Sequence, residues 1–130
     1  SQCVVVAIDT KLTSKGWEVV SHAGTKSTGI MAVSWARTCE MLGAGEILLT
    51  SFTSDGTRQG FAIDITSQVS QALSIPVVAS GGAGNAQHFV DVFTFGKADA
   101  ALAAGIFHYG VIDIVDIKRE LQANGINVRL

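Results

Sequence analysis

Asp9 ends an unbroken apolar run, Val4-Val5-Val6-Ala7-Ile8, and a carboxylate in that position is suited to proton transfer. Desolvation by such neighbours raises a carboxyl pKa toward the range of general acid–base chemistry. The bland alternative is an aspartate that caps a loop or pairs with Lys11. A second candidate is Val77-Val78-Ala79-Ser80-Gly81-Gly82-Ala83-Gly84, a buried strand running into a glycine-rich turn with a helix opening soon after. Such a turn bares backbone N–H groups beside the positive end of a helix dipole, which makes a seat for phosphate. The spacing is not GxGxxG and no acidic partner is clearly placed downstream, so a dinucleotide turn is the weaker reading. Ala98-Asp99-Ala100-Ala101-Leu102-Ala103 ends at Ala104-Gly105 in the same manner. Asp55-Gly56-Thr57 offers a further N–H at Gly56, although Asp-Gly alone is only a turn signal.

These positions all follow strands. Asp9, Thr50-Ser51, Ser80-Gly81-Gly82 and Ala104-Gly105 each close an apolar run on its C-terminal side. In (β/α)8 barrels the chemistry sits at that face, and the loops after the last two strands build a phosphate site. The positioning elements alternate along the chain. Val4–Ile8, Glu46–Thr50, a strand begun by Pro76, and Ala98–Ala103 read as strands. Helices are expected over about 32–42, 63–73, 86–95 and 114–124, the first stopped by Gly43 and the last by Gly125. Trp17 to Val20 offers a short extra hairpin strand before the loop Ala23-Gly24-Thr25-Lys26, and Ile106 to Tyr109 a short helical turn. Such alternation gives a parallel sheet with right-handed crossovers. It leaves two arrangements, a small doubly wound sheet or one curved half of a barrel.

Bulk properties narrow the function. A chain of 130 residues is a single domain, whereas a whole (β/α)8 barrel needs roughly 250 residues. Hydrophobic residues make up 48% and charged residues 15%, which argues against disorder. A net charge of −2 without a basic block argues against nucleic acid, so an anionic ligand must be held by local backbone dipoles. No apolar run suits a membrane span, and no signal peptide is evident. Cys3 and Cys39 lack metal-ligand spacing and read as reduced, packed thiols of a cytoplasmic protein. His22, His88 and His108 are scattered, so no metal is expected, and Trp17 and Trp35 read as core or interface aromatics.

The ordered set of Val4–Asp9, Gly43–Ser51, Asp55-Gly56-Thr57, Ala79–Gly84 and Ala98–Ala104 resembles the C-terminal half of the cyclase subunit of imidazole glycerol phosphate synthase. The terminal Asn127-Val128-Arg129-Leu130 is similar to that subunit's ending, and the resemblance spans essentially the whole chain. It implies a (βα)4 half of a TIM (β/α)8 barrel acting in histidine biosynthesis without a cofactor. In the complete cyclase, ammonia from a glutaminase partner attacks a phosphoribulosyl-formimino carboxamide ribonucleotide. The products are imidazole glycerol phosphate and an aminoimidazole carboxamide ribonucleotide. The resemblance makes Asp9 the second of two acid–base aspartates. It places one substrate phosphate on the backbone around Asp55, Gly56, Gly81, Gly82, Ala104 and Gly105, with Thr50 and Ser80 lining the pocket. The first aspartate and the other phosphate site belong to the N-terminal half. Two departures stand out: Thr53 and Ser54 occupy positions where the family usually carries Asp and Arg, and Gly105 replaces a common serine.

A half barrel exposes two edge strands and the interior its other half would cover. The expectation is a homodimer whose copies close on each other and bring two Asp9 residues to one face. Three readings follow: a cyclase half, a phosphate-binding scaffold without turnover, and the sister isomerase. Leu48-Leu49-Thr50-Ser51 and the terminal Asn-Val-Arg-Leu favour the cyclase over the isomerase.

Overall fold

A computed structural model of the chain describes residues 4–21, 26–52, 60–82, 86–102 and 114–126. The elements run β1 (Val5–Thr13), β2 (Gly16–Ser21), β3 (Lys26–Met31), α1 (Ala32–Met41), β4 (Glu46–Phe52), α2 (Ile63–Ala72), β5 (Val77–Ser80), α3 (Ala86–Thr94), β6 (Ala100–Leu102) and α4 (Ile114–Ala123). They form a six-stranded sheet in the order β3-β2-β1-β4-β5-β6. Strands β1, β4, β5 and β6 are parallel and adjacent in chain order, as short right-handed crossovers dictate. Strands β2 and β3 are antiparallel additions to the expected parallel sheet; β2 is the extra hairpin strand read at Trp17–Val20, and β3 makes the sheet more mixed than expected. The sheet does not close on itself.

All the helical packing falls on one face. Ile8 of β1, Ile47 and Leu49 of β4 and Val77 of β5 are fully buried against Ala32, Ala36 and Cys39 of α1 and Ile65 and Val69 of α2. One step along β5 on the same side, Ala79 meets Phe89, Val90 and Val92 of α3 and Leu121 of α4. This decides between the two arrangements left open above. A doubly wound sheet carries helices on both faces, whereas here the face of Val5, Ala7, Leu48 and Val78 has no helix on it among the described residues. Val5 is 56% exposed there, although its strand reads as an uninterrupted apolar run. The chain has the organisation of half a barrel, with no helix on the interior side of its wall among the described residues.

Two differences from the sequence reading bear on the site. Strand β1 continues four residues past Asp9, because Thr10 is fully buried on the helix face and its hydroxyl donates to the Glu18 carbonyl at 2.8 Å. A tight turn then returns the chain: Gly16 takes φ +115°, and the Thr13 hydroxyl donates to its carbonyl at 3.1 Å. Strand β3 was not expected at all. All six of its residues are exposed, so no alternating apolar signal marks it. Thr28 and Ser27 hold it instead, donating to the Val19 carbonyl and the Glu18 carboxylate. The expected turn at Ile106–Tyr109 lies outside the described residues, as do Cys3, His22 and His108.

Candidate functional site

Parallel pairing brings the predicted strand-end residues into one line. Asp9 of β1 pairs with Thr50 of β4, Thr50 pairs with Ser80 of β5, and Ser80 pairs with Leu102 of β6. Register partners in a parallel sheet point to the same face, so Asp9, Thr50 and Ser80 form a polar row on the bare side. With neighbouring strands about 4.8 Å apart, the row from Asp9 to Ser80 spans about 10 Å. The row beneath it is apolar: Ala7, Leu48, Val78 and Ala100. All three polar residues are half-buried. The expectation that apolar neighbours would enclose Asp9 is only partly met, because Ile8 faces the helices while Val5 and Ala7, on its own side, are exposed.

The glycine turn follows directly from Ser80. Gly81 and Gly82 take φ +93° and +92°, a region that side chains rarely enter. A Cβ on Gly81 would lie 2.4 Å from the Ser51 carbonyl oxygen, and one on Gly82 would lie 2.1 Å from that of Gly60. The chain returning from β4 thus rests on the turn, and the Gly60 N–H donates to the Gly82 carbonyl at 2.7 Å. Behind it, Phe61 meets Phe89 of α3 edge to face, with ring centroids 5.2 Å apart. The backbone is therefore pinned through a carbonyl and through close glycine contacts, on the same edge as Asp9. Asp55, Gly56, Ala104 and Gly105 lie outside the described residues, so the arrangement rests on Gly81 and Gly82.

The structure adds two residues to the face of Asp9: Lys11, considered from the sequence only as a possible ion-pair partner of Asp9, and Glu18, read only as part of the extra strand. Lys11 stands two residues further along β1 on the same face, opposite Phe52 of β4 and Glu18 of β2. Glu18 is 95% buried by its 5% exposure, and the hydroxyls of Thr13 and Ser27 both donate to its carboxylate. Those hydroxyls, and then the charge of Lys15, hold its pKa below the usual carboxylate range. The signal for both was the continuation of β1, which the polar stretch Thr10–Thr13 concealed. Cys39 is a free thiol on the buried face of α1, and burial pushes its pKa up, away from nucleophilic use. An open depression of about 690 Å³ lies at the opposite edge of the sheet, lined by Gly43–Glu46 and Ser74–Pro76, far from the Asp9 row.

The family model described as histidine biosynthesis protein matches residues 1–113. The chain belongs to the histidine biosynthesis protein family. It is 58% identical over 130 residues to the imidazole glycerol phosphate synthase subunit HisF of Acidobacterium capsulatum, covering 100% of this chain and 51% of that protein. Identity is 54% to the same-named subunit of Saccharolobus solfataricus, again over the whole chain and 52% of the relative. It is 53% to that of Geobacillus thermodenitrificans, over 99% of the chain and 52% of the relative. The resemblance to the cyclase subunit is borne out, and this member of the family spans about half the length of the curated relatives it matches. No described helix is long and apolar enough to cross a membrane.

Proposed function

We propose that this chain supplies the half of an imidazole glycerol phosphate synthase cyclase whose first strand carries Asp9, and that it works in the cytoplasm. The observation that carries the reading is the single row Asp9–Thr50–Ser80, set beside the Gly81–Gly82 turn on the bare face of the sheet. Similarity to the HisF subunits supports the same chemistry. Asp9 accepts and returns protons as ammonia, delivered by a glutaminase partner, closes the imidazole ring. The Thr50 and Ser80 hydroxyls orient the phosphorylated ribonucleotide, and the glycine backbone holds one of its phosphates.

The bare apolar face supports a second part of the reading, in which two copies close on each other. Along β1, the hairpin pairs only with Thr10–Thr13, and the stretch 5–9 has no partner on that edge among the described residues. Strand β6 bounds the sheet on its other side. A two-fold axis along the barrel direction sets β6 of one copy beside β1 of the other, so a second Asp9 joins the site.

The test is ammonia-dependent turnover of the phosphoribulosyl substrate, followed across chain concentrations alongside sedimentation equilibrium. The expected result is a dimer, activity that rises with the dimer fraction, and loss of at least about 100-fold in Asp9→Asn, the range for removing an acid–base group. A competing reading, a phosphate-binding scaffold without turnover, is favoured by the one carboxylate in the described row. Phosphate binding with no Asp9-dependent turnover selects the scaffold. A folded monomer at micromolar concentration removes the dimer.

A further inference from the structure

We infer that Lys11 is a substrate-contacting residue whose ammonium holds an anionic group of the ligand beside Asp9. The inference rests on the reading of the Asp9 face as a phosphorylated-substrate site, and it adds a side chain to a seat otherwise made of backbone. Lys11 lies two residues beyond Asp9 on the same face of β1, about 7 Å along the strand. It is half-buried, between Phe52 on one neighbouring strand and Glu18 on the other. Glu18 is the natural counter-ion at that register, yet its carboxylate oxygens are oriented toward the hydroxyls of Thr13 and Ser27, with no bond from Lys11. Among the described residues, the Lys11 ammonium has no hydrogen-bond or ion-pair partner.

The charge around it makes the assignment specific. The other charged residues that strand register sets on this face are Asp9, Glu18 and Glu46, all acidic. A phosphorylated ligand brought to Asp9 meets repulsion from them; Lys15, in the turn after β1, acts on Glu18, and Lys11 is the cation that strand register sets two residues from Asp9. A half-buried lysine left unpaired beside a satisfied carboxylate is suited to a ligand that arrives with its own negative charge. The geometry also sets a ligand length. From β1 to the glycine turn after β5 is two strand spacings, about 10 Å, which a doubly phosphorylated five-carbon sugar can bridge.

Isothermal titration calorimetry of the full chain tests this with two probes, inorganic phosphate and a pentose bisphosphate. Inorganic phosphate needs only the glycine turn and should bind wild type and Lys11→Met alike. The bisphosphate should lose roughly 10- to 100-fold in affinity in Lys11→Met, the range for a hydrogen bond to a charged group. Lys11→Arg should restore most of it, and an unchanged melting temperature in both variants sets a folding defect aside. Equal bisphosphate affinity in wild type and Lys11→Met overturns the assignment. So does a wild type that binds bisphosphate no better than phosphate, and that result leaves the glycine seat standing. A wild type that binds neither probe removes the seat and Lys11 together.

Discussion

The two edges of the parallel sheet treat the same backbone groups in opposite ways. At the N-terminal edge, carboxylates plug the turns. Glu40 of α1 accepts from the Ser74 N–H and hydroxyl, each at 2.8 Å, and from the Ile75 N–H at 3.2 Å. Asp99 accepts from the Val77 N–H at 2.8 Å and returns a bond from its own N–H to the Val77 carbonyl. At the C-terminal edge the turn after β5 is built from glycine, and Gly81 and Gly82 are pressed directly against neighbouring backbone. One edge gives its polar groups to the fold. The other places Asp9, Thr50, Ser80 and the glycine turn where a ligand can meet them, the division that barrel folds make between stability and chemistry.

The largest effect is expected where the two demands meet, at Gly82. Its φ of +92° strains any L side chain, and a methyl would sit 2.1 Å from the Gly60 carbonyl oxygen, which is backbone and cannot swing aside. Gly82→Ala should destabilise the chain by about 3 kcal/mol, read as a shift in the urea midpoint at unchanged slope, and it should abolish phosphate binding. If Gly82→Ala is tolerated, the C-terminal edge is more plastic than its geometry implies, and the contrast between edges weakens. A smaller loss is expected at the other edge. Asp99→Ala leaves the Val77 N–H without its acceptor and should cost about 1–2 kcal/mol while leaving phosphate binding intact. Loss of binding in that variant would mean the edges are coupled rather than divided.

How far the sequence foretold this contrast differs between elements. Helices α1, α2, α3 and α4 end within a residue of expectation, because apolar spacing and glycine or proline stops act locally. The Asp9–Thr50–Ser80 row was legible because each residue closes an apolar run, and parallel register aligns such ends. Strand β3 was not legible: its exposed Lys26–Met31 carry no period, and its stability comes from hydroxyl bonds to another strand. The place of Lys11 and Glu18 on the site face was hidden for the same reason, since Thr10–Thr13 look like a polar loop until the hairpin pairs them. The apolar run Val4–Ile8 was read as buried on both faces, whereas only one face is covered among the described residues. That mismatch is itself informative. A strand that sets valine and alanine on an open face fits the proposed closure by another half barrel.

The smallest predicted effect is also the most discriminating, because it depends on pH. Hydrogen bonds from Ser74 and Ile75 hold the Glu40 carboxyl below its ordinary pKa of 4.5. A carboxyl depressed in the folded state adds stability that is fully present above the unfolded value, and that is lost as pH falls through the lower folded value. Glu40→Gln should therefore be less stable than wild type near neutral pH, and the two urea midpoints should converge as the pH drops below about 4. Glu18 is depressed as well, through the Thr13 and Ser27 hydroxyls, so the acid limb of the variant flattens without vanishing. Phosphate affinity near neutral pH should not change, since Glu40 serves the opposite edge. A constant gap between the two proteins at every pH would show that Glu40 acts through shape rather than charge, and that the N-terminal edge is not closed by its carboxylates.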